Sequence, residues 1–117
     1  MSAGEAYIPT GEGTLGSVEL DFGLQPVAAE VRGTSMLPVY KAGDRLIGNV
    51  QSTPTEISQC VNRDCIIVTA QGEGYVKRLL KGTKPGLYTL RSHNADYPDI
   101  EDVAVSWVAP ITWVRRA

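Results

Sequence analysis

The sequence predicts a mostly β domain built from short, twisted antiparallel strands. Three observations carry that reading. β-prone runs are broken about every eight to twelve residues by Gly, Pro, Asn or Asp. No stretch sustains a helical period. Two of the runs flank QGEG, whose glycines tolerate the positive φ that a hairpin turn demands.

Along the chain, Met1 to Gly16 is rich in Gly, Thr, Ser and Glu and poor in apolar residues, which predicts an arm or linker over 1–16 and a single folded domain over 17–117. The predicted strands are Ala28 to Val31, Arg45 to Asn49, Cys65 to Gln71, Gly74 to Leu80, Leu87 to Arg91 and Ser106 to Val114. A single helical turn is expected to start at Ser35, since Gly33 and Thr34 precede it and Pro38 stands early enough to tolerate its missing N–H. The acidic run ADYPDIED reads as a solvated loop balanced by Arg91 upstream and Arg115–Arg116 downstream.

A chain of 117 residues with 43% hydrophobic and 21% charged residues has the make-up of one globular domain. Its net charge of −2 argues against a surface built to neutralise phosphates, so no direct DNA contact is expected from this domain. The longest apolar stretches, Cys65 to Ala70 and Val103 to Pro110, fall far short of the roughly 20 residues a membrane span needs. The opening residues have neither the basic start nor the apolar run of a secretory signal, which makes the cytoplasm the expected location. Cys60 and Cys65, with His93 as the sole histidine, do not make a four-ligand zinc site; two reduced thiols, no metal and no cofactor are expected.

The chemistry centres on a serine and the base that would activate it. His93 lies in SHNADYP, a polar turn-like segment that places it poorly for a Ser-His-Asp triad. Lysine is the alternative base, but a free amine of pKa about 10.4 is neutral in only about 0.04% of molecules at pH 7. Burial shifts that balance, and making the neutral form a thousandfold more abundant costs about 4 kcal/mol. Lys77 lies among Tyr75, Val76 and Leu79 on a predicted strand whose alternation sends Tyr75, Lys77 and Leu79 to one face. By themselves, Lys77 also reads as a solvated strand lysine and Ser35 as a turn or cap serine.

The combination narrows the choice. The run VRGTSMLPVYKAGDRLIG resembles the nucleophile region of the LexA-like and phage-repressor self-cleaving proteases, with Gly33, Ser35, Met36, Gly43 and Asp44 in matching order. YVKRLLKG resembles that family's lysine strand, TLRSHNADYPDI its strand and loop, and WVAPITWVRRA its closing strand. The resemblance implies a LexA-type peptidase domain with Ser35 as nucleophile and Lys77 as general base. Backbone support for an oxyanion would come from Gly33, Ser35 and Met36, and Asp44 is expected to shape a turn. It further implies Ala3–Gly4 as the cleavage bond, the chain's own N-terminal arm as substrate, a homodimer, and the RecA filament as co-protease.

There are departures as well: Ala109-Pro110 replaces the family's closing glycine, and the sequence lacks room for a helix-turn-helix ahead of the protease domain. These features fit either the C-terminal part of a repressor active in the DNA-damage response or a stand-alone UmuD-like protein. The rival readings are a non-catalytic dimerisation module and a signal-peptidase relative. The latter shares the Ser35-Met36-Leu37-Pro38 pattern but requires a membrane segment.

Overall fold

The computed structural model describes residues 25–117 and the backbone of a two-residue strand, Ala6–Tyr7. Among the described residues eight strands form one antiparallel sheet: β1 (Ala6–Tyr7), β2 (Pro26–Val31), β3 (Arg45–Asn49), β4 (Asp64–Thr69), β5 (Gly74–Lys81), β6 (Tyr88–Arg91), β7 (Ile100–Val103) and β8 (Val105–Arg115). Their spatial order is β1-β2-β3-β8-β4-β5-β6-β7. The mostly β fold class read from the sequence is the one observed, and β3 has the predicted bounds.

The seam of the sheet is β8. Its first half pairs with β4, from Val105 opposite Thr69 to Pro110 opposite Cys65. Its second half pairs with β3, from Ile111 opposite Gly48 to Arg115 opposite Arg45. Alternating residues of these central strands feed two cores, as a period of two requires. Ile66, Val76 and Ala109 join Ala29, Val31, Met36, Tyr40 and Leu46 in one cluster. Cys65, Ile67, Leu79 and Val108 join Ile57, Cys60 and Leu90 in the other. Each fully buried Leu or Ile side chain contributes roughly 1.5–3 kcal/mol, so both cores anchor the strands that carry the candidate site.

The turn predicted between β4 and β5 is present. Thr69 N–H donates to Glu73 O, Gly72 N–H donates to Thr69 O, and Gly72 has φ +90°, open to glycine without strain.

Three elements differ from expectation, the first being β1, a strand inside the segment expected to be an arm or linker. The helix α1, Pro54–Ser58, is a single short element closed by a capping box: Glu56 N–H donates to Thr53 Oγ1, and Thr53 N–H donates to Glu56 Oε1. It is too short for any helical period to register. The expectation of a solvated loop through ADYPDIED fails from Ile100 onward. There β7 pairs with β6, and Ile100 and Val103 pack on the second core, burial that outweighs the charge of Glu101 and Asp102. Of the expected charge partners, Arg91 meets Asp99 at 2.9 Å, whereas Arg116 turns to Asp44.

The expected boundary between residues 16 and 17 and the Ala3–Gly4 bond lie outside the described residues. The described Ala6–Tyr7 pairs with Val31 and Glu30 of β2, and its strand also lies against β5. Among the described residues no helix is long and apolar enough to cross a membrane.

Candidate active site

Ser35 follows β2 in a tight turn. Gly33 has φ +76°, a left-handed conformation that a residue with a Cβ adopts at a cost. Past the serine the chain closes on itself: Leu37 N–H donates to Thr34 O, and Val39 and Tyr40 N–H both donate to Met36 O. These are hydrogen-bonded turns and not the expected helical turn: the Leu37–Pro38 peptide within them is cis, and the helix among the described residues is α1. Met36 and Tyr40, both after the serine, plug the turn into the first core, and Ser35 itself is only 1% exposed.

Lys77 enters from β5, opposite Cys65 of β4, between Val76 of the first core and Leu79 of the second. It too is 1% exposed, and its Nζ lies 3.1 Å from Ser35 Oγ. The structure thus brings together two residues that lie 42 positions apart in the sequence. Burial pushes the Lys77 ammonium down from its ordinary 10.5 to about 8. The reason is that a charge removed from water loses solvation that neutral neighbours only partly replace. Among the described residues no carboxylate is hydrogen-bonded to Lys77; its partners there are the two hydroxyls of Ser35 and Ser92.

Ser92 is the residue the sequence reading missed. Its Oγ accepts from Lys77 Nζ at 2.6 Å, and the residue is buried just beyond β6. The loop it opens grips the serine turn. Asn94 N–H donates to Ser35 O, Asn94 Nδ2 donates to Thr34 O at 3.1 Å, and the Thr34 and Tyr97 hydroxyls share a 2.6 Å hydrogen bond. Among the described residues no backbone hydrogen bond is made by the Ser35 or the Met36 N–H.

His93 does not face the serine. Its Nε2 meets both carboxylate oxygens of Asp64, at 2.9 and 3.0 Å, and this carboxylate also accepts from Tyr40 OH and Arg78 Nε. Burial opposes ionisation of Asp64, yet the hydrogen bonds from His93 and Arg78 hold its pKa below the usual carboxylate value. Tyr40 is pushed up to about 12, by burial first and then by the neighbouring Asp64 charge.

Asp44 shapes its turn as expected, accepting from Lys41 N–H at 3.0 Å, and it also receives Arg116 and the Ala117 N–H. Cys60 and Cys65 are buried free thiols; burial raises Cys65 to about 12, which suits a packing role. Among the described residues no three His, Cys, Asp or Glu side chains gather as a metal site.

A β fold that buries a serine hydroxyl against a lysine amine of lowered pKa has the form of a serine peptidase-like domain. The sequence matches the family described as Peptidase S24-like over residues 2–112, and the chain belongs to that family, the LexA, UmuD and phage-repressor type that its motifs resemble. No curated protein and no solved structure matches the chain.

Proposed function

We propose that the chain is a self-cleaving peptidase in which Ser35 is the nucleophile and Lys77 the general base. The observation that carries this reading is the 3.1 Å approach of Lys77 Nζ to Ser35 Oγ in a site where both residues are 1% exposed. Neutral Lys77 takes the Ser35 proton as Oγ attacks the scissile carbonyl. The backbone N–H groups of Ser35 and Met36, with Gly33 shaping the approach, receive the oxyanion. The Lys77 ammonium then protonates the departing amine, leaving an acyl-enzyme. A water gives its proton to Lys77, attacks the ester carbon and releases Ser35.

The substrate in this reading is the chain's own N-terminal arm, cut at Ala3–Gly4. Tethering raises the effective concentration of that segment, so control rests on how often the arm occupies the site. The family points to a C-terminal domain of a LexA-like or phage-type repressor, or a UmuD-like protein, acting in the cytoplasm as a homodimer with the RecA filament as co-protease. A second reading, a dimerisation module, is favoured by Trp113 of β8, 52% exposed although large and apolar.

The test is Ser35→Ala in the full chain, followed by intact mass. Loss of the shortened product with the fold retained by circular dichroism supports the nucleophile; unchanged cleavage contradicts it.

A further inference from the structure

Three segments must stay in register for the site to work: the turn carrying Ser35, the strand carrying Lys77 and the loop carrying Ser92. Each of them sends a second side chain to one carboxylate. Tyr40, closing the serine turn, donates its hydroxyl to Asp64 Oδ2 at 3.0 Å. Arg78, the residue after Lys77, donates Nε to Asp64 Oδ1 at 3.1 Å. His93, the residue after Ser92, places Nε2 at 2.9 and 3.0 Å from the two oxygens.

The adjacency is what gives the arrangement its meaning. Neighbouring residues of extended chain point to opposite sides. In Lys77–Arg78 of β5, and in Ser92–His93 just beyond β6, the first residue joins the hydroxyl–amine group and the second joins Asp64. Asp64 begins β4, opposite Arg78 in the sheet register, so it is anchored to the framework and not to any one mobile loop. The Tyr40 and His93 rings lie 6.2 Å apart at 54°, which closes the group above the carboxylate. The Arg78 side chain is 42% exposed, and such a pair alone would hold little; three donors from three segments on one carboxylate form a network.

We propose that Asp64 is the positioning residue of the site, fixing the serine turn, the lysine strand and the Ser92 loop to one another without touching the reacting atoms. The proposal rests on the reading of Ser35 and Lys77 as the reacting pair. Its consequence is that losing Asp64 disturbs the dyad while leaving both dyad residues in place.

The experiment uses the full chain carrying Asp64→Ala, with two readouts. The first is the titration of the Lys77 side chain followed by NMR. In the unchanged chain the midpoint is expected at about 8; in Asp64→Ala it is expected to move up toward the value of a solvated lysine as water reaches the loosened amine. The second is the self-cleavage rate by intact mass, expected to fall about tenfold or more. Asp102→Asn serves as a control, because that carboxylate is held by Thr83 and Lys84 at the β5–β6 turn and should change neither readout.

If Asp64→Ala does not fold, Tyr40→Phe keeps the ring in the core, removes one of the three donors and is expected to give a smaller shift in the same direction. A folded variant with an unchanged midpoint and unchanged cleavage overturns the proposal while the Ser–Lys reading stands. A shifted midpoint in a chain that never self-cleaves supports the positioning role and overturns the peptidase reading instead.

Discussion

Ser92 Oγ stands 2.6 Å from Lys77 Nζ, nearer than Ser35 Oγ at 3.1 Å. The amine is therefore held between two hydroxyls, one that reacts in the proposed mechanism and one that aims it. Ser92→Ala removes the second and lets the lysine swing away from Ser35. A hydrogen bond to a charged group contributes about 1.5–3 kcal/mol, so cleavage should slow by about 10- to 100-fold, with Ser92→Thr retaining most of the rate. Single-turnover rates of the three chains, measured by intact mass, check this.

Self-cleavage should rise with pH. Burial lowers Lys77 to about 8, so the neutral amine is the minor form near pH 7 and the major form above about pH 9. The rate is expected to climb about tenfold per pH unit well below 8 and to level off above it. A rate independent of pH across that range would point to a different base.

The same shift sets a stability window. The unfolded chain binds the Lys77 proton up to its ordinary 10.5, whereas the folded chain releases it near 8. The unfolded state therefore holds more protons between these values, and stability rises with pH across that interval. Below it, the buried ammonium costs the fold about 3 kcal/mol. Lys77→Met should unfold at a higher temperature than the unchanged chain at pH 7, with the difference shrinking as pH approaches 10.5. Thermal unfolding at both ends of the interval measures it.

Asp44 works with the opposite sign. Its burial disfavours the charge, but the amides of Lys41 and Ala117 and the Arg116 guanidinium hold its pKa below 3.8. The stability it confers is present above the ordinary carboxylate value and lost as pH falls through the lower folded value. Asp44→Ala should cost about 2 kcal/mol near neutral pH, since it strands buried amide donors. Denaturant unfolding at neutral and acidic pH should show the difference between the chains vanish at the acidic end.

Much of the scaffold was legible because it follows from local pattern. Arg45–Asn49 alternates cleanly, and the glycine-bearing turn after Thr69 fixes the hairpin that delivers Lys77. Ser35 and Lys77 stood out through their motifs, and the fold brings them within hydrogen-bonding distance across 42 residues of chain. Ser92 was hidden because a serine in a polar turn has a local explanation, and only tertiary structure brings it to a lysine 15 residues earlier. Asp64 was hidden for the same reason, its donors lying 14, 24 and 29 residues away. The helix at Pro54–Ser58 left a readable trace: Thr53 followed by Pro54 and by Glu56 is a capping box with proline at its first position. The strand at Ile100–Val103 left less, since its acidic residues mask two apolar positions that matter only once β6 is alongside.

The most direct measurement is the mass and N-terminal residue of the full chain after incubation at about pH 10, above the Lys77 value of about 8, beside Lys77→Ala. The account predicts a shortened species beginning at Gly4 in the unchanged chain and none in the variant. The same species forming at the same rate in Lys77→Ala, or an unchanged chain that stays whole both alone and with the RecA filament, would contradict it.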